Sequence, residues 1–278
     1  MNLIWGFNLV AAKVGVTQFP PIFFTALRFG LLAVFLLPFL KLHRGQMKQL
    51  LAAAMLTGPV AFALMFMGLS MVEDASTVAI VTQLSVPITT LMGVWLLGET
   101  IGWRRRLGIA LAFGGVAVIS FDPRVFAAWD GVAMVVLCCF FGSLGLVFIK
   151  QLRDVRPLQL QAWIAVGGGP ILMLMSLGLE SGQWEAMQNA DVQGWSALAF
   201  TTVASSLFAH TIWYYLVSRY PVTSVAPVTL LSPVFSVFFG VTLLDDQLTV
   251  RMLMGGAVTL IGVLIVVLRE QRLVDTGT

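Results

Sequence analysis

Charge is what this chain has least of. Only 10% of its 278 residues are Asp, Glu, Lys or Arg, 59% are hydrophobic, and the mean hydropathy is +0.94. Soluble domains carry roughly 25% charged residues, so a water-facing surface over the whole chain is excluded. Histidine is almost missing as well: His43 and His210 are the only two. No metal-ligand cluster is therefore expected, no cofactor is implied, and no Ser-His-Asp set is apparent, which leaves an integral-membrane enzyme or a lipid-handling protein as a weak alternative. The two cysteines, Cys138 and Cys139, are adjacent in an apolar run. Helix neighbours point apart, so they read as small packing residues and not as a disulfide. The net charge of +3 is no nucleic-acid footprint, because the basic residues sit in short loops where they set topology.

What the chain has in quantity is apolar length. Ten segments can be drawn, at 1–16, 20–40, 48–72, 76–97, 105–121, 130–150, 157–178, 195–217, 222–243 and 252–268. Crossing a bilayer takes about 20 mostly apolar residues, so the fold class is an all-α integral membrane protein of ten transmembrane helices. The first segment offers only about sixteen residues, which implies a short helix or a chain that begins before Met1. Gly167-Gly168-Gly169-Pro170 reads as a break or kink in the seventh segment.

Loop charges orient the segments. With the N-terminus inside, the inner loops and tail hold Lys41, Arg44, Lys48, Arg104, Arg105, Arg106, Lys150, Arg153, Arg156, Arg219, Arg269 and Arg272, twelve of the sixteen Lys and Arg. Both termini are therefore expected on the cytoplasmic side of the cell inner membrane.

The stretch Val78 to Val116 also occurs twice. Moved 147 positions, it falls on Val225 to Val263, where Val78-Ala79, Val81-Thr82 and Leu84-Ser85 meet Val225-Ala226, Val228-Thr229 and Leu231-Ser232. Gly108 meets Gly255, Gly115-Val116 meets Gly262-Val263, Glu99 meets Asp246, and Pro87 and Pro233 miss register by one. Each copy holds five segments, an odd number, so the second lies upside down relative to the first. The expected organisation is a five-helix repeat at 1–121, a connecting loop at 122–129, and an inverted five-helix repeat with a short tail at 130–278. Inverted repeats are a recurring plan of secondary transporters, with a site near the midplane where the halves meet.

Particular residues point to a family. Trp5-Gly6-Phe7-Asn8-Leu9-Val10-Ala11-Ala12-Lys13-Val14-Gly15, then Pro20-Pro21 and Ala26-Leu27-Arg28-Phe29, resemble the opening of EamA-type members of the drug/metabolite transporter superfamily. The runs from Pro87 through Gly98-Glu99 to Gly115, and from Pro233 through Asp246 to Gly262, resemble the tails of that family's repeats, although Leu244-Asp245-Asp246-Gln247 departs from its Gly-Glu-Arg pattern. The resemblance implies a ten-helix exporter, not an enzyme, whose partners are a small-molecule substrate and the lipid bilayer. Amino acids and their derivatives are the expected substrates. The opening run is most similar to the cysteine and O-acetylserine exporters; aromatic amino acids, or another small solute such as a nucleobase or sugar derivative, are alternatives. A monomer is expected, with a dimer as the other possibility.

All thirteen acids fall in expected loops or at segment ends. Proton-coupled antiporters commonly bury a carboxylate in the pathway, so facilitated efflux, exchange or a histidine relay is expected instead. The candidate substrate-binding residues are the polar and aromatic groups left inside the segments: Asn8, Arg28, Gln83, Ser85, Trp163, His210, Trp213, Tyr214, Thr229 and Ser232. His210, Trp213 and Tyr214 share one helix face. Gln83, Ser85, Thr229 and Ser232 stand beside Pro87 and Pro233, where a missing N–H leaves a carbonyl unpaired; their hydroxyls face the pathway or bond back to the helix. Arg28 meets a substrate carboxylate, or is fixed by helix-end carbonyls or Glu73, while Lys13 snorkels outward. The small faces at Gly108/Ala112, Gly114-Gly115, Gly255-Gly256 and Gly262 are read as close packing inside the bundle.

Overall fold

The computed structural model describes residues 1–98, 100–219 and 229–275. Glu99, the start of the ninth expected segment at 222–228 and residues 276–278 lie outside the described residues. Every described element is helical. Hydrocarbon imposes this, because without water each backbone N–H and C=O must be satisfied within its own segment.

Helix α1 (Asn2–Gln18) stops at Phe19, ahead of Pro20 and Pro21. Proline has no N–H with which to continue a helix, but its fixed φ suits a first helical position. Pro21 accordingly opens α2 (Pro21–Leu36). The leading amides of α2 are taken by Glu180: Oε1 accepts from Ile22 N at 2.7 Å and Oε2 from Phe23 N at 2.9 Å. α3 (Met47–Met55) passes into a π turn at Leu56–Val60, where Gly58 adopts φ −96° and ψ −107° before Pro59, and resumes as α4 (Ala61–Met71). α5 (Ala75–Val81) tightens through a 3-10 turn at Thr82–Leu84, just ahead of Pro87, into α6 (Ser85–Leu97). Then come α7 (Trp103–Ser120), the short α8 (Pro123–Ala127), α9 (Trp129–Gln151), α10 (Pro157–Leu179) and α11 (Gln183–Asn189). α12 (Val192–Phe200) leads through a nine-residue π stretch, Thr201–Ala209, to α13 (His210–Arg219), and α14 (Leu231–Leu243) and α15 (Val250–Asp275) follow.

Among the described residues, six spans are long and apolar enough to cross a membrane: Pro21–Phe39, Met47–Met71, Ala75–Leu96, Trp129–Gln151, Pro157–Leu179 and Val250–Leu268. The chain is thus an all-helical, multi-pass membrane protein. The other four expected segments are shorter, charged or interrupted. α1 has 17 residues, α7 opens on Arg104-Arg105-Arg106, the eighth contains the π stretch, and α14 has 13 residues.

The break expected at Gly167 to Pro170 is absent, since α10 runs on from Pro157 to Leu179. Those glycines serve contact instead. A Cβ at Gly168 would lie 2.9 Å from the Phe29 ring and 3.0 Å from Pro59, and one at Gly169 would lie 3.5 Å from Gly30 N. Glycine here lets α2 and α10 touch. The real interruption is at Gly58-Pro59, one helix away.

Backbone contact is closest between α7 and α15. A Cβ at Gly108 would meet the Gly262 carbonyl oxygen at 2.8 Å, and one at Gly115 would meet the Gly255 oxygen at 2.5 Å. As one helix ascends from Gly108 to Gly115 the other descends from Gly262 to Gly255, so the pair is antiparallel, with Ala112 and Thr259 facing each other between them. Gly108, Ala112, Gly115, Gly255 and Gly262 pack within the chain as expected, whereas Gly114 faces open space.

A polar cluster gathers at the end of the bundle where α1 finishes and α5 begins. Asp246 Oδ2 accepts from Ser76 N at 2.7 Å and Ser76 Oγ at 2.5 Å, Asp74 Oδ1 from Gln247 N at 3.2 Å, and Asp122 Oδ2 from Thr249 Oγ1 at 2.6 Å. The Thr249 hydroxyl holds the Asp122 carboxyl below its ordinary value. The stabilisation from a depressed carboxyl is present above the ordinary carboxylate range and lost as pH falls through the lowered value. Lys13 joins the same cluster. Instead of snorkelling to water it donates from Nζ to the last carbonyls of α4, Leu69 at 2.9 Å and Val72. Beneath the cluster, Phe19, Phe24 and Phe66 pack ring to ring with centroids 5.9 and 5.6 Å apart.

Two adjacent glycines test the seam with opposite signs. Gly114 has open space around its Cα, so Gly114→Ala is expected to raise stability by up to about 1 kcal/mol through helix propensity. Gly115→Ala drives a methyl into the Gly255 carbonyl and is expected to cost about 1–3 kcal/mol. Thermal unfolding of the purified proteins in detergent reads both.

Candidate functional site

A cavity of 470 Å³ opens between the two halves of the chain, reached by side chains of α1, α2, α4, α6, α7, α9, α13 and α14. Leu69 and Phe66 line the end nearer the polar cluster, and Arg105, Ile149 and Lys150 the opposite end. Nine of the ten residues expected at a site line it: Asn8, Arg28, Gln83, Ser85, His210, Trp213, Tyr214, Thr229 and Ser232. Trp163 is elsewhere. Its Nε1 donates to the Lys41 carbonyl at 2.9 Å and its ring packs among α2, α3 and α10, so it ties helix ends together instead of walling the cavity.

The π stretch explains how the centre of the site is built. In a π turn the spacing of partners widens to i→i−5, and two side chains follow that spacing here. Ser206 Oγ donates to the Thr201 carbonyl at 3.1 Å, and His210 Nδ1 meets the Ser205 carbonyl at 2.8 Å. A carbonyl only accepts, so Nδ1 carries the hydrogen, and in the neutral ring Nε2 remains an acceptor. Ser206 Oγ in turn accepts from Arg28 Nε at 2.8 Å. Arg28 is 0% exposed, and neither Nη1 nor Nη2 has a partner. Its guanidinium lies 4.9 Å from the centre of the Phe62 ring and 5.6 Å from that of Phe66. Neither Glu73 nor a helix-end carbonyl holds it. Arg28 is anchored by one nitrogen, and its other two are buried without a partner.

Aromatic rings surround this group. Trp5 packs edge-on against His210 at 5.3 Å and Trp213 at 5.8 Å, and Tyr214 lies 6.3 Å from His210. Trp5 Nε1 and Asn8 Oδ1 are buried without partners. On the opposite wall the hydroxyls divide. Thr89 Oγ1 donates back to the Ser85 carbonyl at 2.7 Å, which also accepts from Ser143 Oγ at 3.1 Å. Gln83, Ser85 and Ser232 face the cavity.

Sequence reasoning passed over Ser206, Phe62, Thr89, Ser143 and Gln161. Gln161 is 3% exposed, both its amide atoms lack partners, and it lines a small side cavity behind His210, Tyr214 and Ser206. An amide inside an apolar segment carries the same signal that marks Asn8, so Gln161 was findable. Ser206 was not, because its role depends on the π spacing.

Comparison with known proteins places this geometry. The sequence profile of the EamA-like transporter family matches residues 1–121 and 129–268. The chain belongs to the EamA-like transporter family. Among its relatives, an uncharacterized transporter of Synechocystis sp. is 32% identical over 67% of this chain and 62% of that protein, so the match spans less than two thirds of the cyanobacterial sequence. A probable amino-acid metabolite efflux pump of Escherichia coli is 27% identical over 99% of this chain and 96% of its own length, and its Salmonella typhimurium counterpart is 28% identical over 95% and 91%. One solved crystal structure superposes with a TM-score of 0.64 over 98% of this chain and 95% of that one, at 17% identity, a likeness of fold alone. As a transporter of the EamA type, this membrane protein handles a small-molecule solute, and its relatives are named as transporters or efflux pumps.

Arg28 depends on its single anchor. Ser206→Ala leaves Nε without an acceptor inside the bundle, and a lowered melting temperature equivalent to about 1–3 kcal/mol is expected. Ser206→Thr, which keeps the hydroxyl, is expected to lose less.

Proposed function

We propose that this protein exports small amino-acid-like metabolites from the cytoplasm by alternating access, the two halves rocking about the cavity between them. The carrying observation is the cavity itself. It is walled by both halves and equipped with an anchored guanidinium and an oriented imidazole inside an aromatic cage. Relatives matched along nearly the whole chain are named amino-acid metabolite efflux pumps, which supports the substrate class.

The arrangement proposed for the halves is ten helices in two inverted five-helix repeats, 1–121 and 130–278, joined through 122–129. Its support is a reciprocity in the α7–α15 seam. Adding the repeat offset to Gly108, Ala112 and Gly115 gives Gly255, Thr259 and Gly262, and the contacts Gly108–Gly262 and Gly115–Gly255 exchange under that shift. An antiparallel pair with exchangeable contacts is what a pseudo-two-fold axis lying in the membrane plane produces. With both termini cytoplasmic, Arg105 and Lys150 lie toward the cytoplasmic end of the cavity. The working unit is a monomer in the cell inner membrane.

Proteoliposomes test the reading. Vesicles preloaded with radiolabelled Cys, Ser, Thr, Phe and Trp, and with their N-acetyl and 2-hydroxy-acid counterparts, are expected to lose at least one solute class faster than protein-free vesicles. Loss of none of them at an increased rate contradicts the proposal. His210→Ala is expected to change the order of preference while the protein stays folded.

A further inference from the structure

We infer that the cavity selects solutes with one net negative charge, a carboxylate without a free ammonium, over zwitterionic amino acids. The inference rests on the transport reading above and narrows its substrate class.

The charge inventory of the wall carries it. Arg28, Arg105 and Lys150 line the cavity, and among the described residues no Asp or Glu does. Arg28 is 0% exposed with Nη1 and Nη2 unpartnered, so a positive charge sits in the wall without an anion to match it. Two parallel N–H groups are the fork that a carboxylate fills bidentately. A monocarboxylate entering the cavity brings the Arg28 site to neutrality.

A zwitterion brings the same carboxylate together with an ammonium one carbon away. That ammonium lands beside the guanidinium it must avoid, and the acceptors near it are neutral: Asn8 Oδ1, which is buried and unpartnered, and His210 Nε2. Ring faces can hold a cation; those of Phe62 and Phe66 already carry Arg28, and Trp213 and Tyr214 offer an ammonium ring faces but no charge to offset that of the guanidinium. Trp5 Nε1, another buried donor without a partner, repels an ammonium as well. A neutral group in the ammonium's place suits the same atoms. An amide N–H or α-hydroxyl donates to Asn8 Oδ1 or His210 Nε2, and an acyl carbonyl accepts from Trp5 Nε1.

A matched series in proteoliposomes isolates charge from side chain: phenylalanine as zwitterion, N-acetylphenylalanine and phenyllactate as monoanions, phenylalaninamide as cation. The monoanions are expected to leave at least about tenfold faster than phenylalanine, since an unmatched like-charge contact is a strong penalty. Their export is also expected to accelerate when the vesicle interior is made negative, because each carries charge across, and phenylalaninamide is expected to leave no faster than from protein-free vesicles. Phenylalanine leaving as fast as the monoanions overturns the inference and leaves the transport reading standing. No member of the series leaving faster than from protein-free vesicles, while another amino acid of the wider panel does, also overturns the inference alone, and no solute of either set leaving faster removes both. Arg28→Lys is expected to keep the preference and Arg28→Gln to abolish it, each judged on monodisperse protein. The wild-type rates and their voltage dependence decide the question if a variant does not fold.

Discussion

Two helix backbones can touch only where side chains are absent. The seam between α7 and α15 is such a place, and the rest of the molecule is arranged by it. Gly108, Gly115, Gly255 and Gly262 bring an antiparallel pair to carbonyl contact, with Ala112 and Thr259 facing each other between them. In hydrocarbon there is no hydrophobic force between helices, so this close packing is the main source of association. A seam that holds the two halves together at one side leaves space between them elsewhere. That space is the cavity.

The second constraint is the cost of a charge in such a space. A guanidinium inside a bilayer protein persists only if it is bonded or has work to do. The π stretch at Thr201–Ala209 supplies the bond by turning Ser206 toward Arg28, and the same turn sets the tautomer of His210. Half of the guanidinium is thereby fixed and half left available. At one end, the cluster of Ser76, Asp122, Asp246 and Thr249 joins residues from both halves, while Arg105 and Lys150 mark the other end.

Much of this was legible in the sequence. Low charge and apolar length gave the all-helical membrane class, and the repeated glycines marked small faces on two segments without saying that these two meet each other. Asn8, Arg28 and His210 announced themselves as polar groups in apolar runs, and they do meet in one cavity. Trp163 carried the same signal but bonds to Lys41, because an indole at a helix end satisfies its N–H on the nearest carbonyl. Gly167 to Pro170 looked like a break and is a contact surface, since glycine serves both purposes and only the neighbour, Phe29, decides. Ser206 was silent. Its partnership with Arg28 spans 178 positions and relies on a π turn that no local pattern announced. Residues 222–228 and Glu99 lie outside the described residues, so the repeat's first matched positions stay a reading of sequence.

Alternating access requires that one cavity be exposed in turn to the two sides of the membrane. Gln83, on the cavity wall, reports on this when replaced by cysteine in a background where Cys138 and Cys139 are serine. Membrane-impermeant thiol reagents, applied separately to each face of oriented vesicles, are predicted to modify it from both faces, with a transported solute slowing both reactions. Modification from a single face, whatever solute is present, would contradict it.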